Sequence, residues 1–122
     1  MKRVLIVGYE PLMREMMAAL LADIAVEIRT VNKIADAEYE CRCGAFDLVI
    51  MLDLAPFFDG SEPMSLLRPR KLRRPELFVI SWQHSEQSVL SMFECGVTQY
   101  LTFPLNARRL RSKICKTLNC DI

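Results

Sequence analysis

Leu48-Val49-Ile50-Met51 is an unbroken apolar run, entered from Phe46-Asp47 and left through Leu52-Asp53. It is too short for a buried helix and shows no 3.6-residue period, so it reads as a strand covered on both faces. Val4–Val7 and Leu77–Ile80 repeat the pattern, Val26–Val31 alternates apolar with polar, and Gln99–Leu101 supplies a short fifth candidate. Strands buried on both faces belong to parallel sheets, whose connections must be long enough to hold helices.

The segments between the runs have helical spacing. Pro11 is a favourable first helical residue, and Leu12, Met16, Ala19 and Leu20 after it share a face. Asn32 reads as an N-cap for a helix aligning Ile34, Ala37 and Cys41. Val89, Leu90 and Phe93 follow Ser85-Glu86 and stop at Gly96, a good terminator. Leu110, Ile114 and Leu118 step by four through a last helix whose Arg108, Arg109, Arg111 and Lys113 face mostly outward. Between the third and fourth strands, Pro63 can start a short helix around Glu62–Leu67. Pro69 interrupts it and Pro75 ends the region, leaving an irregular basic stretch. This alternation predicts one domain over residues 1–122, a doubly wound α/β sheet with right-handed crossovers.

Composition narrows the function classes. The 122 residues are 52% apolar and 25% charged, with a net charge of +1, so no global field favours nucleic acid or a membrane surface. The apolar run after Met1-Lys2-Arg3 is too short for a signal peptide or a membrane span, which points to the cytoplasm and to no membrane partner. An odd count of 5 cysteines in such a chain favours reduced thiols. Cys41 and Cys43 would sit on different helix faces and the single His84 is remote, so no metal site is expected.

Two stretches resemble a known family. Val4-Leu5-Ile6-Val7-Gly8-Tyr9-Glu10-Pro11-Leu12-Met13-Arg14-Glu15 is similar to the first strand, acidic turn and first helix of bacterial response-regulator receiver domains. Phe46 to Gly60, with Asp47, Pro56 and Asp59-Gly60, is similar to the third strand and its phosphoacceptor loop. Leu77–Trp82 and Gly96–Leu105 look like the fourth and fifth strands with their trailing loops. The resemblance implies the flavodoxin-like (βα)5 receiver fold, five parallel strands in the order 2-1-3-4-5, with the site at their carboxyl ends. It also implies a cis peptide at Phe103-Pro104.

By the same resemblance, receivers hold Mg²⁺ with an acidic pair after the first strand, phosphorylate an aspartate on the third, and neutralise the product with a lysine before the final proline. Those positions here are Gly8 and Tyr9, Leu52, and Phe103. Ser81 stands at the hydroxyl position and Tyr100 at the switch aromatic. Magnesium needs carboxylates, and phosphoryl transfer depends on the charge neutralisation the cation brings. The expectation is a degenerate receiver with no catalytic residue and no cofactor, its former acidic pocket plugged by Tyr9, Leu52 and Phe103.

Simpler readings suit most other singular residues. A one-residue shift of register would make Asp53 the acceptor, but strand alternation turns it away from the pocket. Glu10 before Pro11 suits the positive end of a helix, and Asp59-Gly60 suits a turn. The run Arg68, Arg70, Lys71, Arg73 and Arg74 reads as a solvated loop, with an acidic partner or nucleic acid as the sharper alternative.

Two function classes follow from the resemblance. The first is a regulatory module acting by protein contact or as a homodimer. Its candidate face joins Gln87–Cys95, Gln99–Leu101 and Arg108–Lys116, with Gln87, Leu90, Glu94, Tyr100, Arg108 and Arg111 as contact residues. Such a module is often the N-terminal part of a transcriptional regulator, in which DNA would be reached only through a further domain. The second is a ligand sensor using the old pocket.

Overall fold

Each apolar run becomes a strand of one parallel sheet. The computed structural model describes residues 1–52, 75–82, 85–94 and 96–119. Along the chain these form β1 (Lys2–Gly8), α1 (Pro11–Leu20), β2 (Val26–Val31), α2 (Ile34–Cys43), β3 (Leu48–Leu52), β4 (Glu76–Ser81), α3 (Glu86–Glu94), β5 (Gln99–Thr102) and α4 (Ala107–Leu118). The strand order is β2-β1-β3-β4-β5, all neighbours parallel. The expected fold is therefore the observed one. The helix expected around Glu62–Leu67 and the basic run Arg68–Arg74 lie outside the described residues.

The middles of the central strands are apolar because both faces are covered there. Alternation sorts their side chains into two layers. Val4, Ile6, Leu48, Ile50 and Phe78 pack with Met17 and Leu21 and with Leu110, Ile114 and Leu118 of α4. Leu5, Val7, Val49, Met51 and Val79 pack with Ala37, Cys41 and Met92 from the opposite side. Helices α1 and α4 thus cover one face of the sheet, and α2 and α3 the other.

Two helical faces are phased differently from the simplest reading. In α1 the buried residue is Met17, with Met13, Ala18 and Leu20 packed against the core; Leu12 and Met16 are 62% and 64% exposed. The helix is apolar on more than one side, so spacing alone selected the outer stripe. In α3, likewise, Met92 is buried whereas Leu90 and Phe93 face outward. Asn32 does not cap α2: Lys33 holds that position, without a side-chain bond. The other caps follow sequence chemistry. Glu10 Oε1 accepts from Leu12 N at 3.2 Å, Ser85 Oγ from Ser88 N at 3.2 Å, and Asn106 Oδ1 from Arg109 N at 3.0 Å. Gly96 adopts φ 108°, a conformation open to glycine and costly for other residues.

Cys41 and Cys115 are buried and free, and Cys43 is exposed and free; Cys95 and Cys120 lie outside the described residues. Among the described residues no helix is long and apolar enough to cross a membrane.

Candidate functional site at the carboxyl edge of the sheet

Parallel strands bring their carboxyl ends to one edge, where such sheets bind ligands. The register aligns Gly8 with Leu52, Leu52 with Ile80, and Ser81 with Thr102. Gly8, Leu52, Ser81 and, just past β5, Phe103 are thereby collected at one edge, as the sequence predicts. The Phe103-Pro104 peptide is cis, also as expected.

Leu52 is 1% exposed and belongs to the core cluster of Ile50, Phe78 and Ile80, against which Phe103 packs half-buried. Ser81 is buried, and its carbonyl accepts from Phe103 N at 3.1 Å. The Trp82 ring, itself exposed, meets the Phe103 ring at 5.0 Å between centroids and 49° between planes. Tyr100 packs half-buried against the opposite core layer, and its hydroxyl donates to the Trp82 carbonyl at 3.1 Å.

Of the three residues expected to plug the pocket, Leu52 and Phe103 pack into the core and Tyr9 does not. Tyr9 is 66% exposed and does not close over Leu52. Arg14 takes that place. Its guanidinium donates to the Gly8 carbonyl at 2.6 Å and to the Tyr9 carbonyl at 3.4 Å. That bond draws its aliphatic stem across the end of β1, where a β-carbon on Gly8 would come within 2.7 Å of Arg14 Cγ and 3.2 Å of Leu52 Cδ1. The Tyr9 ring faces solvent. Sequence reasoning missed Arg14 and the Trp82–Phe103 contact. A glycine at the strand end with an arginine one helical turn further on was the available signal.

Among the described residues, this edge offers little to a divalent cation. The Arg14 guanidinium stands at the end of β1, the Glu10 carboxylate is engaged at the N-terminus of α1, and Asp36 shares a neighbouring depression with Arg14. No cluster of three His, Cys, Asp or Glu side chains able to hold a metal occurs among the described residues. Mg²⁺ calls for carboxylates in octahedral oxygen geometry, so these residues do not fit it. Asp53 and His84 lie outside the described residues.

Sequence comparison settles the family. The model of the response regulator receiver domain matches residues 4–115. The chain belongs to that family. Solved receivers share its architecture. A two-component response regulator from Clostridium difficile superposes with a TM-score of 0.85 at 18% identity, covering 98% of this chain and 97% of its own. A receiver domain protein from Methanospirillum hungatei gives 0.84 at 21% identity, covering 98% and 94%. The receiver of a sensor histidine kinase from Pseudomonas aeruginosa, solved with magnesium coordinated in its active site cleft, gives 0.81 at 17% identity, covering 97% and 98%. At these identities the likeness shows the fold alone. No curated protein matches the sequence.

Of the contact residues expected on this receiver, Gln87, Leu90 and Glu94 lie exposed on α3, Tyr100 half-buried on β5, and Arg108 exposed on α4. Arg111 is engaged within the fold. It forms a bidentate pair with Asp23 at 2.7 and 2.8 Å and donates to the Leu20 carbonyl at 3.3 Å, pinning α4 to the end of α1. Hydrogen bonding to Arg111 holds the Asp23 carboxyl below its usual range.

Proposed function

We propose that this receiver is a cytoplasmic regulatory module that works without phosphorylation at the usual place, through protein contacts on the face formed by α3, β5 and α4, and that it is not an enzyme. The observation that carries the reading is Leu52, buried at the end of β3 directly beside Gly8 and the Arg14 stem. A hydrocarbon cannot attack a phosphoryl donor, and a guanidinium at the neighbouring strand end repels the cation that such a transfer uses. Burial of Leu52 and half-burial of Phe103 put hydrocarbon where a polar ligand of the old pocket would need hydrogen-bonding groups, which favours the contact reading over the sensor reading.

The test is spectroscopic. Beryllium fluoride with Mg²⁺ imitates an aspartyl phosphate, and amide NMR spectra recorded with and without it should superimpose at β4, α3 and β5. Shifts propagating from Ser81 to Tyr100 would show a working acceptor and refute the reading.

A further inference from the structure

The last helix carries charge of one sign. Its sequence, Ala-Arg-Arg-Leu-Arg-Ser-Lys-Ile-Cys-Lys-Thr-Leu, has five basic residues and no acidic one. Asp23 occupies Arg111. No ion pair engages Arg108, Arg109, Lys113 or Lys116 among the described residues; Lys113 reaches only the neutral Gln99 side chain, at 3.5 Å. These four cations line one open groove of about 650 Å³ between α4 and the start of β5, whose other wall residues (Gln99, Asn106, Ser112 and Thr117) are neutral hydrogen-bonding groups. Asn106 and Arg109 continue into a second depression of about 300 Å³, walled by Tyr100, Thr102, Pro104 and Leu105 and exposing more polar than apolar surface.

We infer that this groove docks an acidic segment of a partner protein, its carboxylates on Arg109, Lys113 and Lys116. The inference rests on the protein-contact reading above and names the chemistry of the partner. Cations held close on one helix repel each other, and an anionic partner relieves that repulsion. The side of α4 from Arg108 to Thr117 spans about 14 Å at 1.5 Å per residue, the reach of roughly four extended residues.

The observations favour this occupant over two others. A second copy placed by a two-fold axis would set this face against itself, where among the described residues α3 offers Glu86 and Glu94 to four cations on each side. Nucleic acid is favoured by a strongly basic domain, whereas this chain has 16 basic and 15 acidic residues.

The experiment is an anisotropy titration of the whole chain with a short labelled peptide of Asp, Glu and Leu. Its Asn, Gln and Leu counterpart and a single-stranded DNA of equal charge serve as comparators, each with and without beryllium fluoride and Mg²⁺. The acidic peptide should bind best, weaken as salt is raised, and lose at least about tenfold in affinity to Arg109→Glu with Lys113→Glu. Lys33→Glu, an exposed cation elsewhere, should bind like the parent. Thermal unfolding checks that the variants fold, and the double Gln variant replaces the Glu pair if they do not. Tighter binding of DNA, equal binding of the neutral peptide, or equal loss in Lys33→Glu overturns the inference. Binding seen only with beryllium fluoride and Mg²⁺ would instead keep the groove and overturn phosphorylation independence. A protein that sediments as a dimer until Arg109 and Lys113 are changed would give the groove to a second copy.

Discussion

Replacing Leu52 by Asp restores an acceptor-type residue and should damage the protein without reviving it. Leu52 is 1% exposed, in contact range of Gly8 and packed with Ile50, Phe78 and Ile80. Truncating a buried leucine costs about 2–5 kcal/mol, and an unpaired buried polar group adds about 1–3 kcal/mol. The Arg14 guanidinium, held at the Gly8 carbonyl, offsets part of the second cost, which places the net loss at about 3–5 kcal/mol at neutral pH. For a domain of this size that is a fall of roughly 10–20 °C in melting temperature. Burial favours the neutral acid, so the folded-state pKa of the new carboxyl lies above its unfolded value of about 3.9. The deficit is therefore smallest below that value and grows as pH rises through the folded pKa. Thermal unfolding of Leu52→Asp and Leu52→Ala at acid and neutral pH separates the packing loss, which is independent of pH, from the charge penalty. Adding Arg14→Gln to Leu52→Asp should deepen the neutral-pH deficit. Parental stability at neutral pH, or a deficit that shrinks as pH rises, would refute an apolar pocket at this edge.

Three further outcomes follow from the same structure. Gly8→Ala should destabilise by about 1–3 kcal/mol through crowding of the Arg14 stem, and Arg14→Ala in the same chain should recover much of that in thermal unfolding. Arg111→Glu should lower the melting temperature while leaving sedimentation unchanged. Because Arg111 depresses the Asp23 pKa, the pair's contribution is present above the ordinary value of 3.8 and disappears as pH falls below it. Burial pushes the Cys41 thiol up to about 11 from an ordinary 9.0, with Glu40 adding to the shift. Near pH 8 a thiol reagent should therefore label exposed Cys43 well ahead of Cys41, and equal rates by peptide mapping would contradict the burial.

The strands were legible because burial on both faces leaves no polar residue to interrupt Val4–Val7, Leu48–Leu52 or Leu77–Ile80, and that signal needs no tertiary knowledge. The helices existed where their spacing placed them, but their orientation did not follow. Leu12 and Met16 satisfy an i, i+4 stripe as well as Met13 and Met17 do, and only docking on the sheet chooses between them. At the site, strand register alone brings Gly8, Leu52 and Ser81 to one edge. The fate of Tyr9 depended on Arg14, whose reach back to the Gly8 carbonyl is a side-chain path no period reveals. Arg111 shows the same gap. Outward spacing marked it as a contact residue, and Asp23, distant in sequence, claims it within the fold.

The most direct test of the proposal that this receiver signals without phosphoryl transfer is the intact mass of the protein after incubation with acetyl phosphate and Mg²⁺. With Leu52 in the acceptor position and Gly8, Tyr9 and Arg14 at the neighbouring strand end, the mass should stay that of the unmodified chain. A phosphate adduct mapped to Asp53 would contradict the account.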